Sequence, residues 1–221
     1  FNNGNTEHIG RIGLKDESQE IILLDWRAPQ AEPFYQATAA QPGDVERRRH
    51  IQTRFREVTG VEDELLDSNA PRGNDLNLTG EGALMSAMSQ ARDGKMSDIV
   101  ATIQAEQDTI IRADSRGVLV VQGGPGTGKT AVALHRAAFL LYSQRERLSR
   151  SGVLIVGPSP VFQRYIDQVL PSLGESAVVS STLGGLVPGV EATAQEPPDV
   201  AEIKGRLLWR EIAKRSVRQI L

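Results

Sequence analysis

Residues 123–130 have the types and the spacing needed to hold a chain of phosphates. They read GGPGTGKT and fit the pattern G-x-x-x-x-G-K-[ST] at every fixed position. Because glycine has no Cβ, such a backbone approaches phosphate oxygens closely and presents successive N–H groups as an anion-binding concavity. The alternative is a glycine-rich turn that ends in Lys-Thr without a ligand. We predict a nucleoside triphosphate site here, of the kind called a P-loop.

Each position of this loop is assigned a role by the chemistry of a magnesium-bound triphosphate. Lys129 is expected to reach the β- and γ-phosphates, and the Thr130 hydroxyl is expected to ligate Mg²⁺. A helix that starts near Lys129 adds its positive dipole end. We predict Lys129 and Thr130 as catalytic residues. The residues predicted to bind ATP are Gln107, Gly123, Gly124, Pro125, Gly126, Thr127, Gly128, Lys129, Thr130 and Ala131.

A glutamine upstream of the loop provides a hypothesis for how the base is read. Gln107 lies in the helical segment TIQAEQDTIIRA, whose apolar side is formed by Ile103, Ile110 and Ile111. A carboxamide both donates and accepts hydrogen bonds, so it matches the Watson–Crick-type edge of adenine. Gln104 is the competing candidate for this role, and an exposed helical glutamine with no role is the alternative for both.

The loop needs a strand before it and a helix after it. Residues 118–121 are a short apolar, β-branched run, which predicts a buried strand of a parallel sheet. The helical pattern after the loop places a set of mostly apolar side chains on one face: Ala131, Leu134, Ala138, Leu141 and Tyr142. Residues 152–156 and 177–180 predict two more strands, and residues 161–170 a helix between them. The predicted fold is α/β, with a partial parallel P-loop sheet.

A small β-rich segment is expected ahead of this sheet. Residues 8–14 and 20–26 are extended runs separated by KDESQ, which predicts a hairpin. The second run ends in IILLDW and resembles a strand with a magnesium-binding aspartate at its end. We reject that interpretation for Asp25 because it precedes the phosphate loop and has no Glu beside it. We therefore predict a structural role for Asp25.

Residues 45–58 form an arginine-rich stretch with two interpretations. It contains Arg47, Arg48, Arg49, Arg54 and Arg56, with Asp44, Glu46 and Glu57 as the nearby acidic residues. One interpretation is a solvated strand face with ion pairs, and the other is a surface that binds nucleic acid or an acidic protein. The stretch has little aromatic interleaving, so stacking on single strands is weakly supported.

Composition excludes several classes of protein. The 221 residues include no cysteine and three scattered histidines, which argues against disulfide frameworks and zinc sites. No apolar run approaches the roughly 20 residues of a membrane span. The formal net charge of −3 indicates no global attraction to nucleic acid. We expect a cytoplasmic protein, and because the sequence does not start with Met we expect an internal piece of a longer chain.

These motifs resemble those of superfamily 1 helicases of the UvrD/Rep kind. Gln107 matches the Q motif, GGPGTGKT matches motif I, and VLIVGPSPVFQRYI and STLGGL stand in the places of motifs Ia and Ib. More narrowly, nearly the full chain is similar to the HelD-type family of helicase-like ATPases. That similarity is carried by IGRIGL, DWRAPQAEPFY, RRRHIQTR, DIVATIQAEQ and VLVVQGGPGTGKTAVALHRAAFLLY.

The resemblance implies a RecA-like ATPase that binds ATP and Mg²⁺ and releases RNA polymerase from nucleic acid. It implies four parts: a β-rich segment at 1–72, a helical lead-in at 73–115, part of the first RecA-like domain at 116–198, and a helix beginning an insertion at 199–221. Alternatives are a true DNA helicase or translocase, a non-catalytic nucleotide-binding module, and a small-molecule kinase. Residues 157–163 read GPSPVFQ where UvrD-type motif Ia reads like TFTNKAA, which argues against strand unwinding.

The sequence also lacks parts that such an ATPase needs. No apolar run followed by Asp-Glu occurs after Thr130. A second RecA-like domain with its arginine finger is also missing, and such a finger is worth about 10³–10⁵ in rate. We therefore expect this chain alone to bind nucleotide weakly and to hydrolyse it negligibly.

Overall fold

The computed structural model describes residues 1–67, 100–173, 178–187, 189 and 195–220. The chain divides into two compact units, residues 1–182 and residues 183–221. A helix predicted from Thr79 to about Arg92, and a domain boundary predicted at 69–79, lie outside the described residues. The four-part division at 72, 115 and 198 stays a prediction.

The N-terminal sheet has three short strands, β1 (Ile9–Gly10), β2 (Leu14–Lys15) and β3 (Ile21–Asp25), in the order β1-β3-β2. The predicted hairpin is formed by β2 and β3, which are antiparallel. However, β1 pairs in parallel on the other edge of β3, so residues 8–14 are not one strand. Glycines at 10 and 13 interrupt the run, and glycine weakens a strand interior.

A turn and a long hairpin complete the N-terminal region. A 3-10 turn at Pro29–Ala31 leads into the short helix α1 (Glu32–Gln36). Strands β4 (Arg47–Arg54) and β5 (Glu57–Leu65) then pair antiparallel.

Carboxylates on β5 neutralise two arginines of the basic stretch. Arg48 pairs with Glu64, and Arg49 pairs with Asp63 directly across the hairpin. Hydrogen bonding from Arg49 lowers the pKa of Asp63 from its usual 3.8. For these two arginines the structure agrees with the ion-pair interpretation of residues 45–58.

Three helices follow in the described chain: α2 (Ala105–Arg112), α3 (Lys129–Ser143) and α4 (Arg145–Ser151). The predicted helix after the phosphate loop is confirmed. Residues 144–150 do not continue α3, because the backbone leaves helical geometry at Gln144, with φ −119° and ψ 37°. The Gln144 side chain donates a hydrogen bond to Ser115 Oγ at 2.7 Å, which holds the chain at this break.

A second parallel pair consists of β6 (Val153–Gly157) and β7 (Val178–Thr182), connected through α5 (Pro160–Val169). Their register runs from Val153 opposite Val178 to Gly157 opposite Thr182. The predicted strand–helix–strand unit is therefore confirmed. Partly buried and exposed residues alternate along β6, and Leu154 is 56% exposed. The fold is mixed α/β, and the described residues do not show the predicted partial P-loop sheet beyond the two parallel strands β6 and β7.

The predicted strand at 118–121 is also wrong. These residues have no assigned strand, and Val118 and Val120 are 91% and 75% exposed. A strand exists only when a neighbour pairs with its backbone groups. None of the described strands pairs with residues 118–121, so their β-branched composition does not make a strand here.

The core of residues 1–182 brings the N-terminal region together with the helices. Its most buried large side chains are Trp26, Ile111, Leu134, Ile166 and Leu173, all of them less than 2% exposed. They come from the segment after β3, from α2, α3 and α5, and from the turn after α5. Burying a side chain of this size contributes about 1.5–3 kcal/mol.

The unit at 183–221 contains α6 (Pro198–Lys204) and α7 (Leu208–Ile220). The prediction of one helix capped by Asp199 is wrong. The helix is interrupted between α6 and α7, and Pro197 is the N-cap residue of α6. The Trp209 indole N–H donates to the Ile203 carbonyl at 2.8 Å across this break. No helix in the described ranges is long and apolar enough to cross a membrane.

Candidate nucleotide site

The phosphate loop at 123–130 turns at residues 125–127, and its last two residues, Lys129 and Thr130, are the first two of α3. Gly128 is the N-cap of this helix and has φ +84°, and Gly126 has φ +79°. Glycine adopts this left-handed conformation at little cost, whereas residues with a Cβ are strained in it.

The backbone N–H groups of the loop are available to a ligand. Within the described part of the chain, no hydrogen bond is donated by the backbone of the following residues: Gly124, Gly126, Thr127 and Gly128. These donors precede a helix of 15 residues, whose N-terminus carries partial positive charge. The arrangement is suited to an anion.

Lys129 is held against the carbonyl groups of its own loop. Its Nζ donates to Gly123 O at 2.8 Å and to Gly124 O at 2.6 Å. Thr127 Oγ1 also donates to Gly124 O, at 2.9 Å. A phosphate oxygen is a stronger acceptor for an ammonium group than a neutral carbonyl is. The ammonium can therefore exchange these carbonyls for phosphate without leaving the loop.

Two further residues of the loop are closely packed or unpaired. A Cβ placed on Gly123 would lie 2.6 Å from Thr127 Oγ1, so a larger residue here requires the Thr127 side chain to move. The Thr130 hydroxyl is half-buried and makes no hydrogen bond within the described residues. It is thus free to ligate a cation held by the phosphates. Ala131 is buried, so only its backbone can face a ligand.

Gln107 is brought to the loop by α2. Its Nε2 lies 3.1 Å from the position that a Cβ on Gly128 would occupy. Its Oε1 accepts a hydrogen bond from the backbone N–H of Gln104 at 3.2 Å. The Gln104 side chain instead donates to Thr102 O at 3.1 Å. Gln107 is therefore the glutamine in contact range of the loop, and its reading of adenine stays a prediction.

Sequence reasoning missed the residues that hold α2 in place. Arg112 donates from Nη2 to Trp26 O at 2.7 Å and from Nη1 to Ala28 O at 3.3 Å. Its Nε pairs with Asp108 at 2.9 Å. Gln36 of α1 donates to the same carboxylate at 3.0 Å. One sequence signal for this role was available: Asp108 and Arg112 are four residues apart and flank the apolar side of a short helix at Ile111.

Burial changes the titration of two groups around α2. Loss of solvent raises the pKa of Asp108 above its usual 3.8, which outweighs the lowering by Arg112 and Gln36. The negative charge of Glu32 raises it further. Desolvation likewise lowers the pKa of Arg136 of α3 below its usual value.

Arg136 connects the two helices of the site. Its guanidinium donates to the carbonyls at the end of α2, with Ile110 O at 2.9 Å and Ala113 O at 2.7 Å. It also donates to Asp114 O at 2.9 Å. Cations at a helix C-terminus interact favourably with its dipole. The C-terminal end of α2 is therefore fixed to the helix that starts at the phosphate loop.

The structural interpretation of Asp25 is confirmed. Its carboxylate accepts hydrogen bonds from the Arg27 backbone N–H at 2.9 Å and from the Arg27 guanidinium at 2.8 Å. Trp26 meets the ring of His135 edge to face, with centroids 5.5 Å apart. Arg27 lies over the Tyr142 ring at 4.8 Å. Residues 25–28 thus pack along α3.

No group of three or more His, Cys, Asp or Glu side chains in the described ranges is arranged to hold a metal ion. The predicted contribution of Thr130 to a magnesium site therefore depends on the phosphates of a bound nucleotide.

The comparisons with known proteins concern the N-terminal region. Residues 1–76 match the family model described as the N-terminal domain of DNA helicase IV, HelD. No curated protein matches the chain. The matched range contains the Trp26 and Gln36 contacts to α2, and it ends before the phosphate loop.

Proposed function

We propose that this chain, which carries a HelD-type N-terminal region, is the ATP-binding part of a helicase-like motor. The motor would use ATP hydrolysis to release or recycle RNA polymerase from nucleic acid. One observation carries the nucleotide part of the proposal: Lys129 and Gln107 meet at the same glycine loop from two different helices.

In this proposal, different residues of the site bind different parts of ATP. The free N–H groups of Gly124, Gly126, Thr127 and Gly128, together with the N-terminus of α3, would bind the phosphate chain. Lys129 neutralises charge on the β- and γ-phosphates, and Thr130 ligates Mg²⁺. Mg²⁺ bound with the nucleotide would neutralise negative charge on the phosphate oxygens. Gln107 faces the base from the start of α2 and selects adenine by donating and accepting hydrogen bonds.

The polymerase part of the proposal rests on the HelD-type N-terminal region. RNA polymerase is the proposed protein partner, and DNA is a second proposed partner. Sedimentation of the chain with purified bacterial RNA polymerase, with and without DNA, tests this part. We expect co-sedimentation with the polymerase. A chain that sediments alone under both conditions would remove the polymerase from the proposal.

We propose that ATP hydrolysis requires a longer protein that contains this chain, and that the chain alone hydrolyses ATP very slowly. A Walker B carboxylate pair does not follow Thr130 in the sequence. Without such groups, an attacking water is neither positioned nor deprotonated. We therefore expect ATP binding without appreciable phosphate release in a single-turnover assay. A DNA helicase or translocase remains the alternative, and ATP-driven strand displacement by the parent would favour it.

A further inference from the structure

We infer that the N-terminal region positions Gln107, so that selectivity for the base is set by contacts made outside the phosphate loop. The contacts run from residues 26–28 and Gln36, through Arg112 and Asp108, to α2. This inference rests on the proposed function, because it concerns how the same nucleotide site chooses its ligand.

The first contact is the set of hydrogen bonds that the Arg112 guanidinium donates. Its side chain is 7% exposed and reaches the backbone carbonyls of Trp26 and Ala28. It also lies over the Phe139 ring of α3, 5.3 Å from the centroid. A planar guanidinium with several donors fixes direction as well as distance. The turn after β3 thereby restricts sideways movement of α2, perpendicular to the helix axis.

The second contact lies one residue from the base-reading group. Asp108 follows Gln107 directly in α2 and is fully buried. Gln36 of α1 donates to this carboxylate at 3.0 Å. A rotation of α2 that breaks this hydrogen bond must also move the Gln107 side chain relative to Gly128. Recognition of a ligand depends on holding such a group to within about 0.5 Å.

The C-terminal end of α2 is held both by the contacts of Arg112 with residues 26–28 and by α3, whereas its N-terminal end is held by α1. Arg136 fixes the C-terminal end to α3, the helix of the phosphate loop. The N-terminal end, which carries Gln107, depends on Gln36 of the HelD-like region. Changing Gln36 should alter reading of the base and leave the phosphate contacts of the loop intact. A residue that only stabilised the fold would affect both.

The test uses the full chain with Gln36→Met, which keeps the side-chain length and removes the hydrogen bond to Asp108. Affinities are measured for ATP, GTP and inorganic tripolyphosphate, each with Mg²⁺. We expect the preference for ATP over GTP to fall about fivefold, since a hydrogen bond is worth about 1 kcal/mol. Affinity for tripolyphosphate should stay within about twofold. Gln41→Met, an exposed glutamine outside these contacts, is the matched control.

A double-mutant cycle with Gln107→Ala provides the second measurement. If Gln36 acts through Gln107, adding Gln36→Met to Gln107→Ala should change the ATP preference little further. Full additivity, or an unchanged preference in Gln36→Met alone, overturns the inference. A parallel loss of tripolyphosphate affinity also overturns it, because the effect would then be structural. A wild-type chain that binds ATP no more tightly than GTP contradicts the adenine reading in the proposed function.

Discussion

Arg112 Nη2 donates to the backbone carbonyl of Trp26 at 2.7 Å, and this hydrogen bond joins the helix of Gln107 to the N-terminal region. The same side chain pairs with Asp108, which is 0% exposed. The N-terminal region is thus part of the support of the candidate nucleotide site.

Replacing Arg112 should destabilise the fold strongly. Arg112→Ala leaves the Asp108 carboxylate buried, with Gln36 as its remaining side-chain hydrogen-bond donor within the described residues. Removing one partner of a buried pair costs about 3–5 kcal/mol. Urea denaturation at neutral pH measures the loss in free energy of unfolding.

A second arginine–aspartate pair provides the control for this prediction. Arg116 pairs with Asp114 at 2.7 Å, but the Arg116 side chain is 89% exposed. Exposed pairs contribute about 0–1 kcal/mol, so Arg116→Ala should change stability little. Equal effects of the two substitutions would mean that the burial of Arg112 has no energetic consequence.

The stability of the protein should carry a pH dependence due to Asp108. Burial raises its folded-state pKa above 3.8, so the folded state binds the proton more strongly than the unfolded state does. Its contribution to the free energy of unfolding is therefore largest below about pH 3.8 and is lost as pH rises through the raised folded-state value. The charged groups that face it are Arg112 and Glu32.

Asp108→Asn isolates this contribution from other titrations. The unfolding free energy of the wild type minus that of the variant should decrease with rising pH and then level off. Urea denaturation at a series of pH values measures this difference. An increase with pH would show that Arg112 lowers the pKa of Asp108 more than burial raises it.

Two glycine substitutions separate backbone strain from crowding in the phosphate loop. Gly126 and Gly128 both have positive φ, near +80°. A Cβ on Gly126 meets nothing within 4 Å, whereas one on Gly128 comes within 3.1 Å of Gln107 Nε2. Gly126→Ala should cost about 1–2 kcal/mol from the left-handed conformation alone.

Gly128→Ala should cost more than Gly126→Ala, because it must also displace Gln107. Thermal and urea unfolding of the two variants in the absence of nucleotide gives the comparison. If both lose the same stability, Gln107 does not pack against Gly128 in solution.

Local patterns allowed part of this fold to be predicted from sequence. Helix α3 starts at Lys129 as expected, because a glycine loop followed by a helical apolar pattern determines both its start and its buried face. The unit of β6, α5 and β7 was also predictable, since each element is short and bounded by turn residues.

The errors come from features that one stretch of sequence does not contain. Residues 118–121 have strand composition, but a strand needs a partner elsewhere in the chain. The support of α2 by Arg112 joins residues 86 positions apart, and spacing alone gave no signal for it. At the break after Ser143, the Gln144 side chain donates to Ser115 Oγ, 29 positions earlier in the chain.

The central claim is that the loop at 123–130 holds the phosphates of ATP through Lys129. Equilibrium binding of Mg·ATP to the full chain, measured by calorimetry, tests it most directly, with Lys214→Ala as the matched control. We predict that Lys129→Ala weakens binding roughly 10- to 100-fold, as expected for hydrogen bonds to a charged group, and that the control binds like the wild type. Equal affinity of Lys129→Ala and wild type, or no ATP binding by the wild type, would contradict the claim.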